Sequence, residues 1–452
     1  MIELSPLDSG FMELEDSDRH ISLGIGAVAI VDGAPPTRQE FAAGLAEGVR
    51  RNARLRQRVR RAPLDLTAPV WEDDPNFDLA HHIRWTALPE PGDEPALLEL
   101  VATELAHRLD RDHPLWQCIV VEHLAGRRWA MIVKAHHMMV DGLSGIALFE
   151  SFCDTTEIAD TVPSPSPGPG GRGSVVRLIS QGFRLATAAP RFAADMVRGV
   201  VPVVYAALAP SAESSLNGPI GQQRRYAVAR AALPELAEIR AAFGVTVNDI
   251  ALAAVASAYR TVLCKRGEQP NADALRIVIP VSMRHPDAKY VLDNRVSVML
   301  PYLPIEIPDP VDRLTAVHES ISAHRARGEA EAEGSLLSVA GWLPFALFAW
   351  TLRLATHYPQ RGIGALATNV PGPRRPLSLH SRRVLEILPC IPIAMRLRTT
   401  IAILSYVDQL TFGITGDFDT TPDIDLIAEG IEQGIAELLA RARDLGSPPA
   451  RS

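Results

Sequence analysis

The chain is expected to fold as a mixed α/β protein, with two lobes of similar size around one substrate cleft. Three observations carry this expectation. Its 452 residues exceed what one ordinary core holds. Strand-like apolar runs alternate with helix-period segments in both halves of the chain. Between the halves, Asp160 to Ser174 (DTVPSPSPGPGGRGS) is so dense in Pro, Gly and Ser that it cannot bury enough apolar surface to fold. The expected division is an N-terminal lobe over 1–155, a Pro/Gly-rich linker and helical connection over 156–223, and a C-terminal lobe over 224–446. An apolar share of 47% with 22% charged residues fits a globular protein and excludes whole-chain disorder. A net charge of −8 argues against a dedicated nucleic-acid binder.

The elements follow in order. Ile21 to Val31 (ISLGIGAVAIV) is rich in β-branched residues and reads as a buried strand. Phe41 to Arg61 reads as a helix with an arginine-dense end, Arg50 to Arg61, expected to form a solvated face, with anionic lipid contact as the lesser option. Leu97 to Leu109 has helical spacing. Two strands, QCIVVEHL and RWAMIVKA, turn around Gly126, and the second runs into HHMMVDG. Past the linker, Val175 to Leu208 is apolar and helical in character. The C-terminal half holds the helix TVNDIALAAVASAYRTVL, the strand LRIVIPVSM, the run NRVSVMLPYLPI and the loop NVPGPRRP. The strand pair IAILSYV and LTFGITGDF and a closing helix complete it.

The N-terminus is acidic and lacks the basic-then-apolar pattern of a secretory signal. Leu336 to Leu352 carries no charge for 17 residues, but it is short for a span and contains Pro344, so a buried or interfacial helix is expected. The four cysteines (Cys118, Cys153, Cys264, Cys390) form no C-x-x-C pair and suit buried apolar roles.

Chemistry concentrates in HHMMVDG. Side chains alternate along a strand, so His136 and His137 should point to opposite faces, which makes joint metal chelation awkward. No H-E-x-x-H appears, and no metal site is expected. Asp141 and Gly142 form a turn into the helix LSGIALFESF. Ser144 lacks the G-x-S-x-G elbow of a serine hydrolase.

HHMMVDG also fits HHxxxDG, the signature of condensation-type and related acyltransferases built like chloramphenicol acetyltransferase. PLDSGFMELED, LDRDHPLW, TVNDIALA, PVSMR, DNRVSVMLP and NVPGP occur in that order from Leu4 to Asp417. Together they resemble the bacterial wax ester synthase/diacylglycerol acyltransferase family. SSLNGPI and ATNVPGPRRPL are most similar to its actinobacterial triacylglycerol synthases, while Gln117 replaces the Glu that often follows PLW. The resemblance implies two chloramphenicol-acetyltransferase-like lobes with mixed sheets and an active-site cleft between them. It implies attack of an alcohol on a fatty acyl-CoA thioester, with acyl-CoA as co-substrate and no cofactor. The acceptor would be diacylglycerol, or a long-chain alcohol giving wax ester.

Under that resemblance His137 is the general base, a role suited to an imidazole of pKa ~6.5, and His136 is a structural neighbour. Asp141 either orients His137 or, preferably, pairs with Arg284 to hold the turn. Asn248 either donates to the oxyanion or, with Asp249, caps a helix. Pro114, Leu115 and Trp116 either line the substrate channel or pack in the core. Asn369 sits in the Pro-rich loop, where Arg374 and Arg375 are candidates for CoA phosphates. The expected setting is cytoplasmic, peripheral on the inner face of the membrane or on lipid droplets. Two rivals remain: a transferase using a carrier-protein-bound donor, and a catalytically silent lipid-binding or lipid-droplet protein.

Overall fold

The computed structural model describes residues 2–62, 67–140, 142–154, 214–282, 296–331 and 362–446. Asp141, Arg284, the linker at Asp160 to Ser174, and the segments Val175 to Leu208 and Leu336 to Leu352 lie outside the described residues.

In the N-terminal half the elements are β1 (Ile2–Glu3), α1 (Pro6–Ser17), β2 (Gly24–Asp32), α2 (Arg38–Arg51), β3 (Gln57–Arg60), β4 (Val70–Asp73), β5 (Ile83–Ala87), α3 (Glu94–Ala106), β6 (Trp116–Leu124), β7 (Arg128–His136) and α4 (Gly142–Phe152). The apolar run predicted as a strand is β2. Its alternation serves two cores: Ile25, Ala27, Ala29 and Val31 pack on one face, and Val28 and Ile30 on the other. Strands buried on both faces read as continuous apolar runs, which is why β2, β6 and β7 were visible in the sequence. The arginine-rich helix is shorter than expected. Asn52 ends α2, and its side chain then accepts the N–H of Arg54, starting a short 3-10 turn that leads into β3. The arginines are also not one solvated face. Arg54 lies over the Trp71 ring at 4.2 Å, Arg58 and Arg60 pair with Glu72, and Arg61 pairs with Glu13 and Asp16.

The C-terminal half holds β8 (Arg224–Ala232), α5 (Leu233–Phe243), α6 (Val247–Lys265), β9 (Ile277–Ser282), β10 (Val296–Met299), α7 (Pro310–Glu331), β11 (Ala365–Val370), β12 (Ser378–Leu379), β13 (Arg382–Cys390), β14 (Thr399–Tyr406), β15 (Gln409–Asp417) and α8 (Ile424–Gly446). A mixed sheet, β10-β9-β11-β14-β15-β8, is covered by α6 and α8. Among the described residues α6 is the one helix long and apolar enough to cross a membrane. Two-thirds of it is buried, and it is the core helix of this lobe.

The simple division at 224 does not hold. The N-terminal sheet has the order β12-β13-β2-β7-β6-β5, so residues 378–390 leave the C-terminal half to join it, with β13 pairing with β2 and β12 at its outer edge. The Asp154 carboxylate accepts the N–H groups of His380 and Ser381 (2.9 and 2.6 Å), tying the end of the N-terminal lobe to this crossing segment. The crossing clamps the lobes together. Tyr226 donates its hydroxyl to the Pro389 carbonyl at 2.8 Å, and Arg230 bridges Glu94 and Glu386. Gly413 is required where β15 meets β13, because a Cβ there would lie 1.8 Å from the Pro389 carbonyl oxygen.

Candidate active site

The two lobes enclose an apolar cavity of about 450 Å3. Ile25, Val133 and Ala135 of the N-terminal sheet face Leu366, Thr368 and Ala402 of the C-terminal one across it. Ile146, Leu148 and Phe149 of α4 form part of its wall. Leu7, Phe11 and Leu14 line it from α1. His137 lines it too, and among the described residues it is the one imidazole or charged side chain that does.

β7 ends at His136, so strand alternation stops there and His137 belongs to the following turn. Both rings consequently meet the same helix, one turn apart, rather than opposite faces of the sheet. The His137 amide donates to the Leu23 carbonyl at 2.9 Å, and its ring stacks on Phe11 with centroids 4.3 Å apart. His136 is 1% exposed. Its Nδ1 accepts the Met138 N–H at 3.2 Å, which leaves the proton on Nε2, 3.4 Å from the Glu15 carboxylate. That carboxylate also accepts the Leu23 N–H (2.9 Å) and pairs with Arg111 (2.5 Å). Burial by itself would raise the Glu15 pKa. The His136 contact, Arg111 and the Leu23 amide outweigh it and hold the carboxyl at about 2. His136 thus anchors α1, and α1 presents Phe11 to His137. Glu15 and Phe11 were not singled out in the sequence. Their spacing of four within PLDSGFMELED, one helical turn, is the signal that could have found them.

Pro114, Leu115 and Trp116 do not line the cavity. All three are buried, Leu115 and Trp116 in the N-terminal core. The Trp116 indole donates to the Leu55 carbonyl (2.8 Å) and stacks on His82, while the Leu115 carbonyl accepts the His136 N–H (2.9 Å). They hold the end of β7 from behind, so core packing is the reading the geometry supports. Gly142 opens α4 beside Asp141. Ser144 is fully buried and does not line the cavity.

Asn248 departs from the oxyanion expectation. β11 presents Leu366, Thr368 and Val370 to the cavity, whereas Asn369 faces a second cleft on the opposite side of the strand. Asn248 lies in that second cleft and accepts from the Asn369 amide at 3.2 Å. Nor does the helix cap fall on Asn248. Thr246 caps α6, and Asp249 closes a capping box by accepting the Thr246 N–H (2.9 Å) while also holding His318 Nδ1 (2.8 Å). Thr368 and Thr400 provide the side-chain hydroxyls of the cavity wall, which the sequence reading missed. Thr400 already donates to the Ile391 carbonyl at 3.4 Å. Cys390 also reaches the wall, but burial pushes its thiol up to about 12, far from a nucleophile. Among the described residues no cluster of His, Cys, Asp and Glu is arranged to hold a metal ion.

Residues 4–251 match the wax ester synthase/diacylglycerol acyltransferase catalytic domain, and residues 292–439 match the C-terminal domain of the same family. The chain belongs to the wax ester synthase/diacylglycerol acyltransferase family. It is 44% identical over 447 residues to a Mycobacterium tuberculosis protein named a probable diacylglycerol O-acyltransferase, covering 97% of this chain and 96% of that one. The solved wax ester synthase/diacylglycerol acyltransferase from Marinobacter aquaeolei VT8 superposes with a TM-score of 0.70 at 26% identity, over 98% of this chain and 100% of that one. The first condensation domain of the calcium-dependent antibiotic synthetase aligns with a TM-score of 0.64 at 15% identity, over 97% of each chain. That second likeness concerns the fold alone, and it establishes the two-lobed architecture that this family shares with condensation domains.

Proposed function

We propose that this chain transfers a fatty acyl group from acyl-CoA to the hydroxyl of diacylglycerol, and also to long-chain alcohols, with His137 as general base. The observation that carries the reading is His137, the one imidazole among the described residues in the wall of a largely apolar cavity between the lobes. Two hydrocarbon substrates favour such a wall, and an alcohol needs one base to accept its proton as it attacks the thioester carbonyl. His137 then returns that proton to the departing thiolate. Neither step requires a cofactor.

Direct transfer fits the residues at hand, since Ser144 is buried away from the cavity and Cys390 is held protonated. Holding both substrates in one cavity supplies rate through proximity. Thr368 is the wall hydroxyl best suited to donate to the developing oxyanion. Asp141 with Arg284 keeps its assignment as the support of the turn. The water-insoluble acceptor argues for peripheral attachment to the membrane or lipid droplets on the cytoplasmic side, and carbonate washing should release the protein without detergent. The reading is tested by incubating purified protein with palmitoyl-CoA and either diacylglycerol or hexadecanol. Triacylglycerol and wax ester are the expected products. Transfer from an acylated carrier protein but not from palmitoyl-CoA would favour a condensation-type enzyme.

A further inference from the structure

The cavity that holds His137 has no cation in its described wall. The second cleft, of about 640 Å3, lies directly against it, because Pro280 lines both. Its chemistry is different. Arg325 from α7 and Arg374 from the loop after β11 enter it from separate elements, joined by Asn248, Asn369 and Ser405. No carboxylate lines it among the described residues. Both guanidinium groups are exposed, and neither forms an ion pair among the described residues. Asp249, which follows Asn248, is buried and engaged with Thr246 and His318.

The rim that carries Arg374 is pinned. The Gly372 N–H donates to the Ser405 hydroxyl at 3.1 Å, and the Val407 N–H donates to the Pro373 carbonyl at 3.0 Å. A Cβ at Gly372 would lie 2.1 Å from the Ser405 carbonyl oxygen, so this turn sits as close to β14 as backbone allows. An arginine on a pinned turn and another on a helix make a preorganised pair of phosphate donors. An apolar chamber with a base and a cationic cleft on the far side of one proline together match a ligand with a long apolar end and a phosphorylated end.

We propose that this second cleft binds the phosphorylated nucleotide end of acyl-CoA, with Arg325 and Arg374 on its phosphate oxygens and the pantetheine arm running past Pro280 to His137. The assignment rests on the acyl-CoA reading above. It is tested by Arg325→Gln, Arg374→Gln and the double variant, each assayed with palmitoyl-CoA and with S-palmitoyl-pantetheine, which lacks the nucleotide. The ratio of kcat/KM for the two donors should fall about tenfold in each single variant and further in the double, carried by KM. Arg374→Lys, which keeps the charge, should recover part of the loss. In parallel, titration calorimetry with CoA itself, which binds without transfer, should show the same loss of affinity. If the wild type fails to use palmitoyl-CoA but its CoA affinity falls in the variants, the cleft assignment stands and the transferase reading fails. An unchanged donor ratio and CoA affinity in the double variant would overturn the assignment. An equal loss on both donors would overturn it too, because the effect would not then depend on phosphate.

Discussion

Replacing Glu15 with glutamine removes one charge from the contact that fixes α1 against the histidine motif. Glutamine keeps the shape and an acceptor for the Leu23 N–H, but it cannot balance Arg111 or polarise the His136 Nε2–H. The carboxyl is held at about 2 against an unperturbed 4.5. That difference corresponds to roughly 3 kcal/mol of folded-state stability at neutral pH. Because the folded value lies below the unfolded one, the contribution is complete above about pH 4.5 and disappears as pH falls through about 2. Urea unfolding at pH 7 should therefore show Glu15→Gln destabilised by about 3 kcal/mol, the lower end of the ~3–5 kcal/mol typical for breaking a buried charge pair. The gap from wild type should narrow as the solution is acidified through that window. Turnover should fall as well, since the same helix presents Phe11 to His137. A variant within about 0.5 kcal/mol of wild type at pH 7 would show that the Glu15–His136–Arg111 contact does not anchor the site.

Other perturbations probe separate parts of the account. His136→Ala should lower melting temperature as well as activity, because its ring joins β7 to α1 through Glu15; full stability would remove that role. Gly413→Ala should destabilise the fold by several kcal/mol, or prevent folding, since its Cβ would meet the Pro389 carbonyl oxygen at 1.8 Å; a wild-type melting curve would refute the close crossing. Thr368→Val should lower kcat about 10²-fold with the fold intact if its hydroxyl meets the oxyanion, and an unchanged kcat would discard it.

Strand periodicity made much of this fold legible. β2, β6 and β7 alternate between two buried faces, and their apolar runs announced them. The crossing of β12 and β13 into the N-terminal sheet was not legible, because the pattern of a strand says which face is buried and not which strand lies beside it. The same limit affected the site. HHMMVDG located His137, but whether Asn248 could reach it depends on which side of β11 the start of α6 lies, a tertiary matter. For Trp116 the sequence left a channel wall and core packing both open, and the contacts with Leu55 and His82 hold it in the core. Glu15 and Phe11 act across more than a hundred residues of sequence, at a distance periodicity does not report.

The central claim is that His137 accepts the proton of an alcohol attacking acyl-CoA. It is tested most directly by comparing wild type with His137→Ala in single-turnover formation of triacylglycerol from palmitoyl-CoA and diacylglycerol. The folded variant should be slower by at least ~10²–10⁴-fold, with no acyl group bound covalently to either protein. A folded His137→Ala protein that forms triacylglycerol at the wild-type rate would contradict the account.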